Sequence, residues 1–267
     1  MKRSPVPVPA PVPFPRSRSR SRFPTYRTPG GTVYRLYTDL AARPHLLLAG
    51  ATGSGKSVSL NGIIYNISAA KSPYEANFVL IDPKKVELIQ WEGLPHVLRY
   101  ASETPDIVRA LQWAVEETEA RFRGMQAARS RMYEGPDLYI IIAELADLMT
   151  TIKKEALPPL QRLAQIGRAA RVHVIACSQN ILAQTIPTIL KCNFPAVLGL
   201  RTATAQQSRF LISVPGCETL PDPRREGTAY GFLRDGADLM KVRLHMYSDA
   251  DISRIVSYWT SAECIVS

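Results

Sequence analysis

Short, uninterrupted apolar runs recur along the chain at residues 45–49, 77–81, 138–143, 172–177 and 196–200. None alternates apolar with polar positions. A continuous run of this length predicts a strand covered on both faces, as in a parallel sheet. The segments between them carry helical spacing. The clearest begins at Thr104, an N-cap candidate, with Pro105 in the first helical position. Ile107, Val108, Leu111, Val115, Phe122 and Met125 then share one face, interrupted by Thr118. Gly135-Pro136 stops this segment before the next strand. Further helices are expected over 58–68 and 157–168. Near the C-terminus, 228–233 and 242–247 read as a strand pair flanking Asp235-Gly236. Strands alternating with helices predict an α/β fold, a mostly parallel sheet flanked by helices.

Composition changes this picture at the ends. Residues 1–30 hold eight of the 21 prolines, an alternating Pro-Val stretch and an Arg-Ser repeat. They offer no apolar face to bury, so an extended or disordered tail is expected. The formal net charge of the 267 residues is +10. Lys2, Arg3, Arg16, Arg18, Arg20, Arg22 and Arg27 supply seven of the basic groups, with no acid among the first 30 residues. The rest of the chain holds 26 basic and 23 acidic residues, a net of +3. The body is therefore no uniformly basic platform for nucleic acid. The tail has two readings: an electrostatic DNA contact, or a solubilising or partner-docking arm. The expected organisation is this tail, one domain over 31–260, and a short tail over 261–267. No run approaches about 18 apolar residues, so no membrane insertion is expected. Cys177, Cys192, Cys217 and Cys264 form no C-x-x-C pair and read as reduced thiols of a cytoplasmic protein.

One motif carries specific chemistry. Gly50-Ala51-Thr52-Gly53-Ser54-Gly55-Lys56-Ser57 fits G-x-x-x-x-G-K-[ST], with an apolar strand before it and a helical stretch after it. The glycines let backbone N–H groups turn inward around phosphate, and the following helix start favours an anion. Lys56 would reach the outer phosphates of ATP, and Ser57 would ligate Mg²⁺. The partner of such a loop is an acidic pair ending another buried strand. Here Tyr139-Ile140-Ile141-Ile142 leads into Ala143-Glu144. Glu144 can orient the attacking water, but Ala143 stands where the metal-orienting Asp is expected. Asp82 and Asp147 are nearby acids whose spacing makes neither an obvious substitute.

In order along the chain, six segments resemble the landmarks of one known family. Residues 44–57, from Pro44-His45 through Ser57, are similar to its first motif. Ile81-Asp82-Pro83-Lys84 with Glu87-Leu88, and then Leu94-Pro95-His96, follow. Glu144-Leu145-Ala146-Asp147-Leu148-Met149 matches apart from Ala143. The segment 163–170, containing Gly167-Arg168-Ala169-Ala170 and followed by Val172-His173, resembles a further signature. Cys177-Ser178-Gln179 closes the series, with Asn180 where the family has Arg. Together these segments resemble the FtsK/SpoIIIE family of DNA translocases, and the resemblance implies a RecA-like P-loop motor of the bacterial cytoplasm, forming a hexameric ring on double-stranded DNA with ATP between subunits. It gives Gln179 the role of γ-phosphate sensor and makes Lys56, Glu144 and Gln179 the catalytic set. It makes Arg168, Arg201 and Arg209 candidates for an arginine finger. It also places Lys153 and Lys154 on a loop facing DNA in the channel.

The resemblance further implies that the family's membrane-spanning N-terminal part and its DNA-reading winged helix are missing, a minimal motor of the kind used in plasmid or mobile-element transfer (conjugation). Ala143 reads either as a naturally weak ATPase or as a substitution that traps a nucleotide-bound state. Two alternatives stand beside the motor: a non-hydrolysing, nucleotide-dependent assembly or adaptor protein, and a secretion or conjugation coupling ATPase.

Overall fold

The computed structural model describes residues 26–27, 33–34 and 44–261. Most of the expected tail of residues 1–30, Cys264 and the C-terminal end lie outside the described residues. A two-residue antiparallel ladder, β1 (Tyr26–Arg27) with β2 (Val33–Tyr34), straddles residue 30, where the sequence places the tail boundary.

All five expected core strands form: β3 (Leu46–Ala49), β4 (Ala76–Ile81), β6 (Asp137–Ile142), β7 (Val172–Ser178) and β8 (Ala196–Leu200). With β5 (Val97–Ala101), β9 (Tyr230–Asp235) and β10 (Asp238–Arg243) they build one eight-stranded sheet, ordered β10-β9-β8-β3-β7-β6-β4-β5. The six strands from β8 to β5 run parallel, and β9 and β10 add an antiparallel edge. The continuous apolar runs follow from burial on both faces. Leu47, Val79, Ile140 and Val174 point into one core, shared with α2 (Thr104–Ala128), α3 (Leu145–Thr151) and α4 (Lys153–Ile166). Leu46, Leu48, Phe78, Leu80 and Ile141 point into the other, shared with α1 (Lys56–Ala70) and α8 (Asp249–Thr260). Among the described residues, three shorter α-helices also form: α5 (Thr188–Lys191), α6 (Ala205–Ile212) and α7 (Pro223–Glu226).

Five local expectations are corrected. Lys153 and Lys154 are not on a loop; both are exposed on the first turn of α4. The helix begins there rather than at 157 because the buried stripe Ala156, Leu160, Leu163 and Ala164 extends toward its start. That packing outweighs Pro158 and Pro159 inside the helix, where a proline costs about 3 kcal/mol in isolation. Thr104 is not the cap of α2; Glu103 is, and its carbonyl accepts the first helical bond, from Ile107 N–H at 2.9 Å. The C-terminal hairpin turns where expected, but its second strand is Asp238–Arg243 rather than 242–247. Its edge strand is mostly exposed, so its apolar residues do not mark its extent. Thr118, the expected interruption of α2, is buried and satisfied by donating to Ala114 O at 2.7 Å.

Candidate nucleotide-binding site

Parallel strands bring their carboxyl ends to one rim of the sheet, and the loops leaving β3, β6, β4, β7 and β8 meet there. The loop after β3 turns through Gly53 (φ 75°) and Gly55 (φ 97°), conformations open to glycine and strained for other residues. No side chain caps the start of α1, so its first-turn amides face the loop without a partner side chain. Lys56 is 7% exposed, and its Nζ donates to Gly50 O and Ala51 O, each at 3.0 Å. Burial draws its pKa below the ordinary lysine value, and the charge of Glu144 opposes this. A buried ammonium bound only to carbonyl oxygens, beside an uncapped helix start, fits the polyphosphate of ATP. The Ser57 side chain is exposed in the same turn, which suits a Mg²⁺ ligand.

The expected trio comes together. β7 lies between β3 and β6, so Gln179 emerges between the loop and Glu144. Its backbone N–H donates to Glu144 Oε1 at 3.0 Å and Oε2 at 3.3 Å. Its side-chain Oε1 accepts from Thr52 Oγ1 at 3.2 Å. Glu144 is 2% exposed and also accepts from Ala146 N–H at 3.4 Å, capping α3. Ala143 stands beside it, 7% exposed, with its N–H on Ile81 O at 2.9 Å.

Sequence reasoning gave no role to Lys84. Its Nζ lies 3.5 Å from Glu144 Oε2 and 3.8 Å from Asp147 Oδ2, joining two acids one helical turn apart. Pairing of β4 with β6 in register, Ile81 opposite Ile142, explains how residue 84 reaches residue 144. Asp82 is fully buried, and its Oδ2 holds the turn by accepting the N–H groups of Glu87 and Leu88, each at 2.9 Å. Arg201, after β8, sits beside its own phosphate loop: its carbonyl accepts Ala51 N–H at 2.8 Å and its guanidinium meets Asp222 at 3.2 Å. Arg209 is exposed on α6, and Arg168 is exposed at the opposite rim of the sheet, just before β7 begins.

The FtsK/SpoIIIE family model matches residues 13–138 and 126–182. The DNA translocase FtsK of Leptospira interrogans is 34% identical over 236 residues, 82% of this chain and 25% of that protein. The DNA translocase FtsK of Rickettsia prowazekii is 30% identical over 269 residues, 84% of this chain and 35% of that protein. The chain belongs to the FtsK/SpoIIIE family. It spans about a quarter to a third of the length of these curated relatives. In fold it is also similar to the pCW3 conjugation coupling protein TcpA, solved with ATPγS (TM-score 0.74, 21% identity, 94% of this chain and 75% of that one). The cytoplasmic domain of the Thermomonospora curvata type VII secretion ATPase EccC gives the same TM-score of 0.74 at 21% identity, over 91% of this chain and 32% of that one. The expected RecA-like P-loop architecture is thereby shown.

Within this FtsK/SpoIIIE chain the matched motifs divide between the two rims. The amino rim holds a buried polar network rather than a ligand site. His45 Nδ1 accepts Val174 N–H at 3.0 Å, and His173 Nδ1 bonds Pro44 O at 3.0 Å. A Cβ on Gly167 would sit 2.5 Å from Val172 O and 3.2 Å from His45 Cε1, so this glycine lets the motifs close on each other. Asp137 is shared by Lys71, Arg171 and His173. Burial alone would raise its pKa, but hydrogen bonds from His173, Arg171 and Lys71 outweigh that and hold it well below the usual carboxylate range. Cys177, Cys192 and Cys217 are free thiols, and burial pushes Cys177 up. Among the described residues, no helix is long and apolar enough to cross a membrane.

Proposed function

We propose that this chain is an ATP-dependent double-stranded DNA translocase, acting as a hexameric ring around the duplex in plasmid or mobile-element transfer. The observation that carries the reading is the convergence of Lys56, Glu144 and Gln179 at one rim. Membership of the FtsK/SpoIIIE family supports it, as do relatives named DNA translocases and a neighbour in fold named a conjugation coupling protein.

Bound ATP with Mg²⁺ supplies the phosphoanhydride whose hydrolysis drives movement. Residues 50–57 cradle the phosphates, Lys56 neutralises them, and the Ser57 hydroxyl is the metal ligand. Glu144 accepts the proton of the attacking water. Gln179 binds Thr52 through its side chain and Glu144 through its amide, so it couples the state of the loop to the position of the base. Lys153 and Lys154, exposed on α4, are the phosphate contacts for DNA.

Ala143 removes one metal-orienting carboxylate, so turnover is slow. Ala143→Asp raises DNA-stimulated ATP hydrolysis by about two orders of magnitude, the scale of losing a metal-positioning group. An Ala143→Asp protein without DNA-stimulated hydrolysis would sink the motor reading. Ala143 also favours a second reading, an assembly protein cemented by ATP without turnover. ATP-dependent oligomers that never hydrolyse ATP, even with Asp at position 143, would favour that one.

A further inference from the structure

We propose that Arg224 is a cation of the nucleotide site acting within its own subunit, held over the phosphate loop and kept in reserve by Asp222. The inference rests on residues 50–57 binding a nucleotide. A Cβ built on Gly53 would lie 3.4 Å from both Cζ and Nε of Arg224. The guanidinium thus lies beside the loop, within van der Waals reach of any side chain added at Gly53. At Gly55 a Cβ would collide with Ala229 Cβ at 2.5 Å. The stretch from Asp222 to Ala229 therefore runs along the loop, passing close to two of its glycines.

Local chemistry fixes that stretch. The Asp222 side chain caps α7 by accepting Arg224 N–H at 3.1 Å, and Gly227 (φ 62°) ends the turn. Asp222 also accepts from Arg224 through Nε at 3.2 Å and Nη2 at 3.3 Å, and from Arg201 through Nη1 at 3.2 Å. One carboxylate is shared by two guanidinium groups, which leaves net positive charge beside the loop. The Arg224 side chain is 72% exposed, so exchanging Asp222 for a phosphate costs little desolvation. A guanidinium fork suits phosphate oxygens in paired hydrogen bonds, which an ammonium cannot reproduce. The ligand class is a nucleoside di- or triphosphate, and Asp222 is the anion that stands in for it.

The test is titration of the full chain with ATPγS, with the melting temperature of the free protein followed in parallel. Arg224→Ala weakens ATPγS about tenfold, with the free protein melting as the parent does. Arg224→Lys falls between the two. Asp222→Asn, which keeps the cap acceptor but removes the charge that holds both arginines, binds more tightly than the parent. Unchanged affinity in Arg224→Ala overturns the proposal. If Arg224→Ala also melts lower, Arg224→Lys decides: recovered affinity supports the contact, and none overturns it. Recovery on mixing Arg224→Ala with Lys56→Ala chains would place the arginine on a neighbour's site and overturn the same-subunit assignment. If the parent binds ATPγS no better than Lys56→Ala does, the nucleotide reading itself has failed, a result distinct from an Arg224 with no effect.

Discussion

At Gly55 two constraints coincide. Its φ of 97° belongs to a region that favours glycine, and its missing Cβ makes room for Ala229. Gly227 shares only the first constraint: its φ is 62°, and nothing lies within 4 Å of a built Cβ. The two positions therefore separate strain from contact. Gly227→Ala costs about 1 kcal/mol of stability and leaves ATPγS affinity near the parent's. Gly55→Ala costs about 3 kcal/mol and removes ATPγS binding, because the loop must shift to relieve the clash. Chemical denaturation and nucleotide titration of both proteins check this, and equal behaviour of the two would refute it. The sequence motif made Gly55 legible. Ala229 was not, because its role depends on a loop returning from a distant strand, which no local pattern encodes.

The elements with a single physical cause were the legible ones. Five strands followed from continuous apolar runs because both faces of the sheet are covered. The start of α4 and the second hairpin strand were misplaced because tertiary packing in one case, and exposure in the other, override the local pattern. The same burial sets a pH dependence. His96 lies between β5 and α8, stacked on Phe78 and edge-on to Trp259, with Nε2 bonded to Lys71 O at 2.7 Å. Burial lowers its pKa from 6.5 to about 4, and His45, also buried, is lowered to about 3. Between pH 6.5 and these values the unfolded chain binds protons that the folded chain does not. Stability is therefore full above pH 6.5 and declines as pH falls toward 4. From pH 7 to pH 5, His96 accounts for about 2 kcal/mol of that decline. His96→Gln, which keeps a donor for Lys71 O, has a flatter slope between pH 7 and 5 in denaturant titrations. An unchanged slope would show that His96 is not the group responsible.

In the whole molecule, the two rims of the sheet set how copies can cooperate. The phosphate loop, Glu144 and Gln179 occupy the carboxyl rim, whereas Arg168 projects where β7 begins. The seven residues of β7 put about 20 Å between those ends, so Arg168 cannot reach its own nucleotide. Arg201 is committed to its own loop and to Asp222. Of the three candidates the family resemblance offers, Arg168 and Arg209 are then the two to test for action across subunits. An arginine on one surface serving a loop on another requires head-to-tail contacts, which close into a ring when the rotation permits. Subunit mixing tests this in the Ala143→Asp background, where turnover is measurable. Arg168→Ala and Lys56→Ala chains are each inactive alone. Mixed equally, they recover activity at about a quarter of the sites, where an intact loop meets an intact arginine. If the mixture stays inactive while the corresponding Arg209→Ala mixture recovers, Arg209 rather than Arg168 is the residue acting between subunits.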